Sequence, residues 1–299
     1  MCFGEHSRSF MSWRTVVITS RCKLDYKMGF MVVRAEETKK IFLDEIAVLL
    51  IENPAVSMTG CLLEALVEKK IRVIFCDAKR TPNAELVPYY NAYDCSRKIK
   101  AQIAWTDDIK GAIWADIVAE KIRKQADFLE ELERFNEASL LRSYLSQIEP
   151  HDATNREGHA AKVYFNALFG MDFTRSEENI TNAALNYGYS IILSAFNREI
   201  VAHGYLTQLG IFHDNMFNHF NLSCDLMEPF RVLVDRKVKS MTFNDFGSEE
   251  KHSIVNILNE TVVINQTKQT VLNAIKYYSR SVFDALNDSD LSLIQFYSL

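Results

Sequence analysis

Glu157, His213 and Glu228 are the residues whose types, taken together, could act on a phosphodiester. Two carboxylates and one imidazole make a hard donor set that suits Mg²⁺ or Mn²⁺, and such ions act on phosphoryl oxygens as Lewis acids. If the three form a site, their oxygens and one ring nitrogen must converge on a common point. Sequence order alone does not bring them together.

Each of the three also has a plainer explanation. Glu157 opens the helical stretch Asn155-Arg156-Glu157-Gly158-His159-Ala160-Ala161, where small Ala160 and Ala161 leave room for a metal or phosphate to approach. A first-turn glutamate favoured by the helix dipole would look the same. His213 follows Gly210-Ile211-Phe212, where a helix should stop, and a lone histidine there is often structural. As a ligand it needs a partner for its second nitrogen, and Asp214 and Asp225 both qualify. The spacing of Asp225-Leu226-Met227-Glu228 puts both carboxylates on one helical face, but it is also a capping-box pattern, and Pro229 points to a helix start nearby.

Basic residues accompany these segments. Arg156 and Lys162 flank Glu157, Arg175 follows Phe173-Thr174, and Arg231, Arg236 and Lys237 follow Glu228. All six are candidate DNA-phosphate contacts, while solvated helix faces with intrahelical ion pairs account for them equally well. The helix carrying Asn182, Asn186, Tyr187 and Tyr189 has apolar positions at Ala183, Ile191, Ile192 and Phe196, which read as core rather than as a base-stacking surface.

Other chemistries find less support. Gly158 and Gly188 belong to no phosphate-binding glycine pattern. The six cysteines form no C-x-x-C pair, so neither zinc nor a disulfide framework is indicated and a reducing cytoplasm is the expected setting. The longest aliphatic run, Ile46 to Ile51, is far too short for a membrane span. A net charge of −5 excludes a protein coated in positive charge, so DNA contact must use local basic patches. The acidic stretch Glu130-Glu131-Leu132-Glu133 is expected to lie away from the DNA path.

The elements that must position these residues divide into two sections. Residues 1–10 precede a second methionine, Met11, and read as an alternative start or an expression remnant. Residues 11–95 are cut into short β-branched and aromatic runs, predicting strands at 15–19, 28–33, 40–43, 46–51 and 71–76, with one helix at 57–69. Pro82 and Pro88 break the pattern, and residues 89–94 read as a connector. From residue 96 to 299 apolar residues recur at helical intervals, predicting helices over 96–105, 108–134, 137–148, 153–169, 178–202, 225–240, 248–258 and 267–286. The fold class expected is α+β, with a β-rich N-terminal domain followed by a larger all-α catalytic domain.

Four ordered motifs carry a family resemblance: N-R-E-G-H-A-A-K-V-Y-F from Asn155, I-T-N-A-A-L-N-Y-G-Y from Ile180, Q-L-G-I-F-H from Gln208 and D-L-M-E-P-F-R from Asp225. Their order and spacing resemble the CRISPR-associated integrase, the catalytic subunit of the spacer-acquisition complex. V-I-F-C-D at Val73 and Q-I-A-W at Gln102 look most like its type II-A branch. The resemblance implies a bacterial cytoplasmic homodimer that joins a small ferredoxin-like subunit and binds prespacer and CRISPR-repeat DNA. It assigns Glu157, His213 and Glu228 to the family's catalytic and metal positions and Asp225 to an acidic position just before the last ligand. Many family members carry Asp where Glu228 stands, which alters reach more than chemistry.

The implied reaction is transesterification, in which a DNA 3′-hydroxyl attacks a phosphodiester at a repeat boundary with no nucleotide cofactor. The rival readings are a structure-selective, metal-dependent repair nuclease using the same residues, and a non-catalytic DNA-binding scaffold.

Overall fold

Ile46–Ile51 is an unbroken aliphatic run, and every residue in it is buried. Such a run suits a parallel strand covered on both faces. In the computed structural model, which describes residues 14–78, 80, 82–86, 94–243 and 245–299, the chain divides into two units, Met1–Pro88 and Tyr89–Leu299. Residues 1–10 and all of the expected connector except Asp94 lie outside the described residues.

The first unit contains β1 (Arg14–Ile18), β2 (Lys23–Lys27), β3 (Phe30–Arg34), β4 (Thr38–Phe42), β5 (Ile46–Ile51), β6 (Ser57–Met58), α1 (Gly60–Glu68), β7 (Arg72–Cys76) and β8 (Pro82–Glu85). One sheet has the order β1-β5-β7-β8, with β1, β5 and β7 parallel and β8 antiparallel at the edge. The other runs β4-β3-β2-β6. Leu24, Met31, Ile46, Leu49, Leu62, Leu66 and Val73, from both sheets and α1, share the core of this unit. Three strands escaped the sequence reading. In β2 only Leu24 of Lys-Leu-Asp-Tyr-Lys is fully buried, so cross-strand hydrogen bonding to β3 rather than apolar periodicity makes it a strand. The two-residue β6 fell within the predicted helix, and β8 opens on Pro82, which is tolerated at the first residue of an edge strand.

The second unit contains α2 (Cys95–Ala104), α3 (Asp107–Glu131), α4 (Phe135–Tyr144), α5 (Arg156–Phe169), α6 (Ile180–Ala202), α7 (Asn221–Met227), α8 (Arg231–Ser240), α9 (Ser248–Val255), a hairpin of β9 (Thr261–Ile264) and β10 (Thr267–Thr270), and α10 (Val271–Asp288). The α+β class, β-rich first and helical second, is thus observed. The hairpin was not foreseen and takes the first four residues of the helix expected at 267–286. Asn265 and Gln266 both have positive φ, the geometry of a tight two-residue hairpin turn, but Asn-Gln lacks the glycine that usually announces one. The helix then starts at Val271, where Thr270 caps it by accepting from the Asn273 N–H.

The 25-residue α3 is the spine of this unit, packing against α4, α5, α8 and α10 and against a 3₁₀ turn at Glu228–Phe230. Thr106 caps its start, accepting from the Ile109 N–H, and Asp107 and Asp108 place negative charge at the positive end of its dipole. Ile109, Ile113, Trp114, Ile117, Val118 and Ile122 are buried along it, and so are the charged Glu120, Lys121 and Lys124. The helix expected at 225–240 is two helices, α7 and α8, joined by the turn that carries Glu228 and Pro229.

Candidate active site

Glu157 is the second residue of α5, and a neighbour holds it there. Asn155, before the helix, has a left-handed φ of 50° and makes no side-chain cap. The buried Asp152 carboxylate caps instead, accepting the Arg156 N–H at 2.8 Å and the Glu157 N–H at 2.9 Å. Two unsatisfied donors of the first turn are thereby satisfied by one anion placed at the helix's positive end.

His213 lies in the loop between α6 and α7. Asp225, fully buried on α7, accepts the N–H groups of Ile211 at 2.6 Å, Phe212 at 3.1 Å and His213 at 3.0 Å, and its Oδ1 lies 2.6 Å from the His213 Nδ1. The capping-box alternative is not realised: α7 begins at Asn221, so Asp225 is interior to a helix and its carboxylate is used by the neighbouring loop. Of the two possible imidazole partners it is Asp225, not Asp214, that binds, leaving Nε2 as the uncommitted ring nitrogen. The hydrogen bond to Asp225 raises the His213 pKa against the opposing effect of burial. Trp114 of α3 stacks on Phe212 and meets the His213 ring edge-on, which fixes the loop against the helix.

Glu228 is 3 % exposed and sits at the start of the 3₁₀ turn. Burial alone would raise its pKa, but the Arg231 and Lys121 charges outweigh that and hold it at about 2. Arg231 donates from Nε to Oε1 at 2.8 Å, and the Lys121 ammonium donates to Oε2. The same ammonium donates to Glu157 Oε1 at 2.5 Å. Two carboxylates from separate elements thus share one cation supplied by α3.

Glu157, His213 and Glu228 line a single cavity of about 250 Å³, together with Lys121, Gln125, Arg175, Tyr189, Arg231 and Asp235. Among the described residues no group of three or more His, Cys, Asp or Glu side chains is arranged to enclose a metal ion. The two carboxylates converge, and they converge on Lys121. The donor chemistry still fits a hard divalent cation, because the carboxylate pair already binds positive charge and an imidazole with its Nδ1 committed lines the same space.

The basic candidates separate by position. Arg175 lines the cavity, donates to Asn182 and to Asn186 Oδ1 at 2.6 Å, and lies over the rings of Phe165 and Tyr189. Asn182, itself held by the Thr174 and Glu177 carbonyls, and Asn186 give the polar positions of α6 a purpose that spacing alone did not reveal. Arg231 also lines the cavity, engaged with Glu228 and over Tyr189. Arg156 lies over Tyr144, and Lys162 is exposed. Arg236 pairs with Glu131, and Lys237 with Glu260 at 3.1 Å. In the acidic stretch Glu130 pairs with Arg142, as Glu131 does with Arg236.

Four contributors were missed. Lys121 and Gln125 interrupt the buried stripe of α3, and polar residues at apolar-face positions were the available signal. Asp235, bound by the Tyr164 and Tyr189 hydroxyls, and Asp152 left no mark in the sequence beyond their residue type.

The profile of the CRISPR associated protein Cas1 family matches residues 15–276. The CRISPR-associated endonuclease Cas1 of Neisseria meningitidis serogroup C (strain 8013) is 36% identical over 229 residues, covering 76% of this chain and 75% of that protein. The chain belongs to the Cas1 family. Membership extends over both units, so the β-rich section and the cavity-bearing helices belong to one family domain set. The Cas1 fold is shared with a casposase bound to integration product, at a TM-score of 0.74 and 19% identity over 92% of this chain and 91% of that one. It is shared too with a chain of a Cas6-RT-Cas1–Cas2 complex, at a TM-score of 0.71 and 18% identity; 98% of this chain covers 37% of that one. No helix among the described residues is long and apolar enough to cross a membrane.

Proposed function

We propose that this Cas1 family member is a metal-dependent DNA endonuclease and integrase that inserts DNA fragments into a CRISPR array by 3′-hydroxyl attack on a repeat-boundary phosphodiester. One observation carries the reading: Glu157, His213 and Glu228, drawn from three separate segments, line one cavity whose wall also carries Arg175 and Arg231. Family membership supports it, since the Neisseria relative is named an endonuclease.

Glu157, His213 and Glu228 would hold Mg²⁺ or Mn²⁺, which when bound polarises the scissile phosphate and neutralises charge on the leaving 3′-oxygen. Glu228 is ionised throughout the physiological range because Arg231 and Lys121 depress its pKa. Asp225 fixes the His213 ring through Nδ1, so that Nε2 is the nitrogen available to the cavity. Arg175, a wall residue of the cavity oriented by Asn182 and Asn186, supplies positive charge for a phosphate. Within the cavity Lys121 and Arg231 are engaged by Glu157 and Glu228, whereas Arg175 is held by amides, so its charge is the one directed to a DNA phosphate despite the net acidity of the chain.

The likeness to a casposase bound to integration product supports joining over simple cutting. The likeness to a chain of a Cas6-RT-Cas1–Cas2 complex supports assembly with a CRISPR-associated partner; a homodimer, a small ferredoxin-like partner subunit and a bacterial cytoplasmic setting are what the family resemblance implies.

The test is joining of a 3′-hydroxyl duplex into a repeat-containing plasmid with Mg²⁺ or Mn²⁺. Wild type should join, and Glu157→Ala and His213→Ala should not. Cutting of branched DNA without any joining would favour a repair nuclease, and DNA binding with neither activity would mark a scaffold.

A further inference from the structure

Lys121 is an unusual occupant for the centre of such a site. It is 7 % exposed, projects from the middle of the α3 spine, and places one ammonium between Glu157 Oε1, at 2.5 Å, and Glu228 Oε2. A buried cation of this kind is retained only where opposite charges surround it, because its desolvation is otherwise prohibitive. The two carboxylates that hold it are the two the proposed metal would need.

A second feature lies one helical turn along. Gln125 is 3 % exposed, lines the same cavity, and its Oε1 is buried without a hydrogen-bond partner. Residues at i and i+4 are neighbours on a helix face, and Lys121 and Gln125 both line this cavity from α3. A buried orphan carbonyl is unfavourable unless it serves another arrangement of its surroundings.

From these two observations we infer that Lys121 is a built-in competitor for the metal site, holding Glu157 and Glu228 together until a divalent cation displaces its ammonium toward Gln125 Oε1. This inference rests on the metal-dependent reading above. The lysine keeps the buried Glu228 carboxylate and the partly buried Glu157 carboxylate at bonding distance from one point, so the site is preorganised by a protein cation before a metal ion would take its charge-balancing place. The same arrangement lowers apparent metal affinity, since each binding event must break two charge-assisted hydrogen bonds. Lys121 is thus a positioning residue, distinct from the groups that would touch the phosphate.

Mn²⁺ binding to the full chain, followed by electron paramagnetic resonance of the free ion and by calorimetry, tests this without reference to activity. Wild type should bind Mn²⁺ and Glu157→Ala should lose it. Lys121→Met should bind roughly tenfold or more tightly, because one buried competing charge is gone. Gln125→Leu, which leaves the lysine in place and removes the receiving carboxamide, should bind more weakly than wild type. It keeps the question answerable if Lys121→Met fails to fold. Equal or weaker Mn²⁺ affinity in Lys121→Met, or unchanged affinity in Gln125→Leu, would overturn the competition while leaving the site intact. If neither wild type nor Lys121→Met binds Mn²⁺, the metal-dependent reading falls as well.

Discussion

Asp225 engages His213 twice, accepting its ring Nδ1–H at 2.6 Å and its backbone N–H at 3.0 Å, from a position with no exposure to solvent. One carboxylate thereby sets both where the loop runs and which ring nitrogen faces the cavity. Replacement by Asn removes the charge but keeps the shape. Asp225→Asn should lower the His213 pKa, as read by NMR titration of its ring protons, and should weaken Mn²⁺ binding by roughly 10- to 100-fold. The sign of the linkage follows from the raised pKa: the pair's contribution to stability is fully present below the ordinary histidine value and is lost as pH rises through the raised one. Metal binding should run the opposite way, strengthening as His213 loses its proton. An unchanged histidine titration in Asp225→Asn would contradict the pairing.

Arg175 offers a prediction that separates DNA contact from metal binding. Its guanidinium is tied to Asn182 and Asn186 and touches none of the three proposed ligands. Arg175→Ala should weaken DNA binding by roughly tenfold and reduce the slope of log affinity against log salt by about one. Its Mn²⁺ affinity should match wild type. Fluorescence anisotropy across a salt series measures the first, calorimetry the second.

Gly210 permits the close approach on which the His213 loop depends. A Cβ there would lie 2.3 Å from the His213 carbonyl oxygen and 2.7 Å from Asp225 Oδ2, and the nearer clash is with backbone. Gly210→Ala should destabilise the chain by about 1–3 kcal/mol in urea unfolding and abolish joining. Retained stability with full activity would show that the loop reaches His213 by another route.

Asp235 carries a pH signature of its own. Burial pushes its carboxyl up from 3.8 to about 6, against the hydrogen bonds from Tyr189 and Tyr164 that would lower it. The folded chain therefore binds its proton more tightly than the unfolded chain does. Stability from this group is present below pH 3.8 and is lost as pH rises to about 6, a loss on the order of a few kcal/mol. Asp235→Asn should remove that dependence, so its melting temperature should gain on wild type between pH 4 and pH 6 and stay level above. Parallel melting curves for the two proteins across that range would refute the assignment.

Much of the fold was legible because its causes are local. The aliphatic run at Ile46–Ile51, the recurring isoleucines of α3 and the shift of period after residue 95 each report a burial pattern that chain geometry enforces. Strands such as β2 and β9–β10 were not legible, since their hydrogen-bond partners rather than their own residues make them strands. The same distinction runs through the site. Residue types and motif order nominated Glu157, His213 and Glu228 and placed Asp225 beside them. Only the tertiary structure put three distant segments around one cavity, chose Asp225 over Asp214 as the imidazole's partner, and set Lys121 between the two glutamates. Chemical capacity is a property of side chains and survives in the sequence. Convergence depends on helix packing around α3, a sum of many weak contacts among residues far apart in the chain, and no single segment records it.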